Sequence, residues 1–384
     1  MAVLIWGTGK KLIQIILLIL SDKKRFLGGE DMSDVYERLR SRLDDLAVGF
    51  PETESKIEIR LLKQVFTEEE AEFFMLLLPL MESPDDAAKR LKRDPDEVAE
   101  IMERMAKKGL LFRQRKDDRV RYAAVPWVVG IFEFQVKSMD KDFARDNEEY
   151  FEKAFLHKLQ SHKTPVLRTI PINRQIVADW PIAPYEDVLQ IVENQKKIAI
   201  ADCVCRTQTA LVGSDCDKPT ENCFMFGSHA DYYVENGMGR YISKEEAQQI
   251  VLKNEEAGLV MQPFNSQKVG GMCSCCGDCC GMLRSLKKQP NPAEAVQSNY
   301  YAQVDEELCT GCETCVDRCQ MEAIEVVDGI STITLNRCIG CGLCVTTCPG
   351  EAVQLIKKSE DQLYEPPKSG VETYVRILQE RGKL

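Results

Sequence analysis

Between Thr67 and Val125 the hydrophobic positions change period once, from the stagger of helices to the alternation of strands. Thr67 and Glu70 form a capping box ahead of an apolar helix that should run to about Met81. Ser83-Pro84 supplies an N-cap and a first-turn proline for a second helix, and Asp94-Pro95 does the same for a third. The third helix carries Val98, Ile101, Met102 and Met105 at i, i+3, i+4 and i+7 and should stop at Gly109. Leu110–Arg115 and Arg119–Val125 then alternate around Lys116-Asp117-Asp118 as a two-stranded hairpin. Three helices followed by a hairpin predict a winged-helix-like domain over residues 32–128.

Further along, the pattern becomes mixed. Ile170-Pro171-Ile172 reads as extended, Pro184–Asn194 as a helix opened by proline, and Lys197–Ala201 as a strand leading to Cys203. Residues 129–288 are therefore expected to form a mixed α/β domain, closed by the breaker cluster Gln289-Pro290-Asn291-Pro292. At the far end, Glu365–Gly370 leads into a short helix, Val371–Arg381, within a tail of residues 359–384. The apolar run Leu12–Leu20 is too short to span a bilayer, and no small-residue cleavage site follows it. Gly28-Gly29-Glu30-Asp31 demands purine-rich codons directly before Met32, the look of a translated ribosome-binding site. Residues 1–31 are thus set apart as an extension, with initiation expected at Met32.

The composition, 44% apolar and 29% charged, is that of a soluble globular chain with material for more than one core. A net charge of −11 opposes nonspecific binding to nucleic acid. The acidic residues Asp96, Glu97, Glu100 and Glu103 lie on the third helix, where a DNA-reading helix would meet phosphates. The hairpin is basic (Arg113, Arg115, Lys116, Arg119, Arg121), so a docking role and a DNA-binding role both stand, with docking favoured. All 17 cysteines lie at or beyond position 203, a local use that points to a reducing cytoplasm rather than a secreted disulfide scaffold. The three histidines (His157, His162, His229) have no metal-ligand spacing.

Eight cysteines fall into two copies of C-x2-C-x2-C-x3-C. Cys309, Cys312, Cys315 and Cys319 recur 29 positions later as Cys338, Cys341, Cys344 and Cys348. Three thiolates at this spacing wrap one side of a cuboidal cluster, and the fourth serves the cluster of the other half. The expected ligands are Cys309, Cys312, Cys315 and Cys348 for one [4Fe–4S] cluster, and Cys338, Cys341, Cys344 and Cys319 for the other. Zinc and disulfides are the alternatives, and a duplicated array is far more specific than a lone C-x2-C. Residues 300–358 resemble the bacterial-type ferredoxins with two [4Fe–4S] clusters. Ala323-Ile324 and Ala352-Val353 fall at equivalent places, at the start of the strand after each ligand run. The resemblance departs at one point: proline follows the fourth cysteine as Pro349 but is replaced by Gln320 in the first copy, which restores a backbone N–H there.

Nine cysteines lie outside this module: Cys203, Cys205, Cys216 and Cys223, then Cys273, Cys275, Cys276, Cys279 and Cys280. The late group contains a further C-x2-C-x2-C, Cys273, Cys276 and Cys279. Cys203 and Cys205 share a face if the preceding strand persists through them. The expected metal ligands are Cys203, Cys205, Cys216, Cys223, Cys273, Cys276 and Cys279, with Arg206 placed to offset thiolate charge. A third [4Fe–4S] cluster, zinc, and a thiol–disulfide pair are all open readings here. The segment loosely resembles cysteine-rich regions that accompany ferredoxin modules in oxidoreductase subunits of anaerobes. His229 and Arg240 lie between the two groups and are read as ordinary packing or surface residues.

The fold class expected is α+β multidomain: a winged-helix-like domain, a central mixed α/β cysteine-rich domain, and a C-terminal ferredoxin-like 2[4Fe–4S] domain. No phosphate-binding glycine loop and no dinucleotide fingerprint is present, so substrate chemistry is assigned to a partner. The resemblance implies a cytoplasmic electron-transfer protein, or the electron-transfer subunit of an anaerobic oxidoreductase complex, with a redox protein as partner and no membrane span. Between Gln303 and Lys358 nine acidic residues face four basic ones, which suits a basic partner patch. The alternative is a redox-sensing transcriptional regulator acting through the winged helix.

Overall fold

The computed structural model describes residues 34–159, 162–172, 183–214 and 216–384. The expectations for residues 1–31, including the start at Met32, lie outside them. Two compact units are present. The first ends at Ile131 and takes in Val375–Leu384; the second is Phe132–Tyr374.

Among the described residues the first unit contains α1 (Val35–Asp44), α2 (Ile57–Val65), α3 (Glu68–Met75), α4 (Pro84–Leu91), α5 (Pro95–Lys107), the hairpin of β1 (Leu111–Lys116) and β2 (Arg119–Ala124), and the end of a helix over Gly370–Glu380. The caps read from sequence are in place. Thr67 and Glu70 form a reciprocal capping box, Ser83 accepts from the Asp86 N–H, and Asp94 accepts from the Asp96 and Glu97 N–H groups. Helix α3 is shorter than its apolar run, ending at Met75 instead of about Met81. Leu78 precedes Pro79 and is disfavoured in a helix, and its carbonyl accepts from the Ala124 N–H at 2.9 Å. Glu82 then bridges to Tyr122, so the tail of the run joins the hairpin. Between the strands, Asp117 and Asp118 both adopt positive φ, the backbone of a two-residue hairpin turn. Near the C-terminus Arg381 donates to the carbonyls of Ala47 (2.7 Å) and Asp44 (2.8 Å), which fastens Val375–Leu384 to this unit.

At the centre of the second unit is a five-stranded antiparallel sheet of order β5-β3-β4-β7-β6: β3 (Ile198–Asp202), β4 (Glu221–Phe226), β5 (Gly239–Ile242), β6 (Val260–Pro263) and β7 (Gly271–Cys275). Alternation gives the sheet two unlike faces. One presents Ile198, Ile200, Phe224, Phe226, Met272 and Met261 to a core shared with α7 (Val188–Glu193) and α10 (Lys244–Glu256). Ile170 extends the sheet, its N–H donating to the Met261 carbonyl at 3.2 Å. The other face carries Cys223, Cys273 and Cys275, and helices α6 (Lys141–Tyr150), α8 (Val204–Leu211), α9 (Ser228–Glu235) and α11 (Gly281–Lys287) complete this half. Helix α7 starts later than expected: Pro184 opens a separate 3-10 turn, and Asp187 caps the helix through the Leu189 and Gln190 N–H groups.

The C-terminal part of this unit is built as two hairpin-like pairs. Strand β8 (Tyr300–Val304) pairs with β11 (Val353–Lys357), and β9 (Ile324–Val327) with β10 (Ile330–Ile333), all antiparallel. Short helices α12 (Thr314–Arg318) and α13 (Leu343–Thr346) carry the middle of each cysteine run. Strands β9 and β11 begin at the residues the duplication predicted, Ile324 and Val353.

Candidate metal centres

The duplication in sequence becomes a symmetry of hydrogen bonding. The Ser331 N–H donates to Cys309 Sγ at 3.3 Å, and the equivalent Ala302 N–H donates to Cys338 Sγ at 3.4 Å. The Ala323 N–H adds a bond to Cys319 Sγ at 3.2 Å. Backbone N–H groups aimed at sulfur favour thiolates and tune any cluster those thiolates bind. A recess in this half is lined by Cys319 of the first run and Cys338, Cys341 and Cys344 of the second. Gly340 makes its narrow wall: its φ is +64°, and a Cβ there would lie 2.1 Å from the Tyr300 carbonyl oxygen. Donors and recess together fit a sulfur-ligated cluster. Cys315 and Cys348 pack in one small core with Cys319, Cys338 and Cys344, while Cys309 is half-buried and Cys312 exposed.

The two runs differ in solvation. Cys312 is exposed, and Glu306, Glu307, Leu308 and Glu313 around it are exposed too. Cys309 is held below the ordinary thiol pKa by the N–H groups of Ser331 and Gly311, and Cys312 by the Thr314 hydroxyl and N–H. Three thiols around the recess are displaced the other way. Burial raises Cys319 and Cys344 and pushes Cys341 up to about 12.

Gln320, the residue in place of proline, reaches the central cysteines. Its Oε1 accepts from the Gly277 N–H at 2.6 Å, between Cys276 and Cys279. The backbones also meet, since a Cβ on Gly277 would lie 2.9 Å from the Gln320 carbonyl oxygen. On the other side of Cys319, Arg318 donates to the Glu255 and Glu256 carbonyls at 2.6 and 2.8 Å, a cation at the C-terminus of α10. That helix closes through Gly258, at φ +79°, and delivers Leu259 onto Cys276 and Cys279.

The central cysteines fall into two groups. Cys216, Cys276 and Cys279 converge, with all three sulfurs within 4.8 Å of one another and Cys216 to Cys276 at 3.9 Å. Thiolates about 2.3 Å from one zinc ion stand about 3.8 Å apart at the corners of a tetrahedron, so this triad fits a single metal ion. Cys276 is lowered to about 5, first by the Cys279 thiol and then by Arg206. Arg206 is only 2% exposed; its Nη2 donates to the Ser274 carbonyl at 3.1 Å, while Nε and Nη1 find no oxygen acceptor. Burial opposes its charge, but Cys203, Cys276 and Cys275 hold it protonated.

Six cysteines form the other group, a row in which each thiol shifts its neighbour's ionisation, in the order Cys223, Cys273, Cys275, Cys280, Cys205, Cys203. Cys203 and Cys205 do not share a strand: β3 ends at Asp202, and they are the N-cap and first turn of α8. Cys280 caps α11, and the Gln262 amide donates to its sulfur at 3.8 Å. Neighbouring thiols and burial raise Cys203, Cys273 and Cys275 well above the ordinary thiol range. Sequence reasoning had Cys273 with Cys276 and Cys279; the structure puts Cys273 in the row and the other two in the triad. It left out Cys275, although Cys273 and Cys275 sit two apart on one strand, and it left out Cys280 and Gln262. Arg240 pairs with Glu221 and Glu246, and His229 packs edge-on against Phe264, lowered to about 4 by burial.

Residues 301–349 match the 4Fe-4S dicluster domain family, which implies two [4Fe–4S] clusters and electron transfer. No family is assigned to the rest of the chain, and no curated protein or solved structure gives a significant match to it. Among the described residues no helix is long and apolar enough to cross a membrane.

Proposed function

We propose that this chain is an iron–sulfur electron-transfer protein, or the electron-transfer subunit of an anaerobic oxidoreductase complex in a reducing cytoplasm, in which the dicluster module serves the central metal site. The contact that carries this reading is Gln320 Oε1 to the Gly277 N–H, 2.6 Å. It links a residue bonded to Cys319 with one bonded to Cys276. Cys309, Cys312, Cys315 and Cys348 would hold one cluster, and Cys338, Cys341, Cys344 and Cys319 the other. Bound [4Fe–4S] clusters take up and release single electrons.

The chain's own residues supply direction. Around exposed Cys312 the acidic side chains leave Leu308 bare, a surface suited to a redox partner with a basic rim and an apolar centre. At the other end Arg318 and Gln320 fix the backbone on both sides of Cys319 against the central domain. A reductive titration of anaerobically purified protein tests the reading. Reversible uptake of at least two electrons per chain, with bleaching of the visible absorption, is the expected result; no uptake would end it.

The three helices and hairpin of the first unit are read as a winged-helix-like docking module. Two of its five basic strand residues are engaged by Glu103, which accepts from Arg113 Nη1 (2.9 Å), Arg115 Nη2 (3.1 Å) and the Tyr122 hydroxyl (2.8 Å). Asp96, Glu97 and Glu100 remain exposed on α5. Both facts favour protein docking over DNA binding.

A further inference from the structure

We propose that the row Cys203, Cys205, Cys280, Cys275, Cys273 and Cys223 is a metal site separate from the Cys216, Cys276 and Cys279 triad, and that it holds a third [4Fe–4S] cluster through four of its six thiolates. This rests on the electron-transfer reading above and extends it.

Sheet register is the first support. Cys223 of β4 follows the β4–β7 pairing to stand opposite Cys273, because Phe224 pairs with Met272 and Met225 with Gly271. Cys275 lies two residues on from Cys273 and so shares its face, where the pairing with β6 sets Gln262 beside Cys273. The Gln262 amide then reaches Cys280, which places the cap of α11 over the same face. Cys203 and Cys205 stand at the start of α8, directly after β3, the strand paired with β4. Two strands and two helix starts thus bring the six cysteines together, where an ordinary core would carry aliphatic side chains.

Sulfur spacing is the second support. The triad closes to within 4.8 Å, as ligands of one ion must. No three sulfurs of the row converge so closely among the described residues, and neither do those of the dicluster module. The row, like the dicluster module, thus lacks the tight convergence that a single ion needs, and the triad has it. The Arg206 guanidinium acts on thiols of both groups, Cys203 and Cys275 of the row and Cys276 of the triad.

The experiment is iron, acid-labile sulfide and zinc analysis of full-length protein purified anaerobically, with Cys223→Ser, Cys273→Ser and Cys216→Ser variants alongside. Wild-type protein should contain about twelve irons and twelve sulfides, plus one further metal ion without sulfide. Cys223→Ser or Cys273→Ser should lose a third of the sulfide and keep the lone ion; Cys216→Ser should lose the lone ion and keep all the sulfide. About eight sulfides in the wild type would overturn this inference while leaving the dicluster reading intact, and fewer than eight would overturn both. Loss of the same metal from Cys216→Ser and Cys223→Ser would show one shared site and also overturn it. The wild-type sulfide count decides by itself if a variant fails to fold.

Discussion

The two copies of the ligand run have the same spacing and opposite surroundings. Around Cys312 the chain is solvated, acidic and rich in N–H and hydroxyl donors that favour thiolate. Around buried Cys344 and half-buried Cys341, desolvation pushes the thiols toward the neutral form, which a bound metal would reverse. The copies also differ after the fourth cysteine. Pro349 has no N–H and is exposed, whereas Gln320 spends its side chain on Gly277. A duplicated motif has thus been given an outward end and an inward end by residues that are not ligands.

The severest way to break this arrangement is Gly277→Val. The new side chain would meet the Gln320 carbonyl and the Lys287 side chain, both 2.9 Å from an ideal Cβ. Overpacking of this kind costs about 1–3 kcal/mol; calorimetry should show it in the second unit, along with slower electron transfer between module and central site. Next comes the contrast in access. Under chelator and mild oxidant, module iron should leave in two phases with rates about tenfold apart, the factor given by ~1.4 kcal/mol of extra opening free energy. Cys312→Ser should abolish the fast phase only; a single phase would mean that the two ends are equally protected.

Gln320→Pro is a smaller change. It restores the proline seen in the other copy and removes one hydrogen bond, worth about 0.5–1.5 kcal/mol in chemical denaturation. Pro349→Gln should have no matching effect on electron transfer. Ionic strength sharpens the comparison further. Reduction by a basic partner protein should slow between 0.1 and 1 M salt, as the screening length falls from about 10 to about 3 Å, while transfer inside the chain stays constant. The smallest effect belongs to the first unit. Burial raises the Glu103 pKa, but Tyr122, Arg113 and Arg115 outweigh it and the net shift is downward. Its stabilisation is therefore complete above the unfolded value of about 4.3 and fades as pH falls through the lower folded value. Acid titration of the melting temperature should show that loss, and Glu103→Gln should remove that part of the pH dependence.

Local chemistry made much of this legible in advance. Thr67, Ser83 and Asp94 cap helices because their oxygens meet otherwise unpaired N–H groups, a relation contained within four residues. The duplicated cysteine spacing is equally local. The central site was harder, because Cys223 and Cys273 are 50 residues apart and only strand pairing joins them. The apparent C-x2-C-x2-C of Cys273, Cys276 and Cys279 misled for the same reason: Cys273 is still in β7, and the chain leaves the sheet after Cys275. Gln320 was visible as a departure from pattern, but its acceptor role depends on Gly277, 43 residues earlier.

The most direct test is the rate of electron transfer within the chain. Rapid reduction of the module, followed by freeze-quench EPR of the central centre, should be compared in wild-type and Gln320→Pro proteins of equal iron content. The account predicts that the central signal develops after the module signal and several-fold more slowly in the variant, independent of salt. Equal rates in the two proteins, or a central signal that never develops, would contradict it.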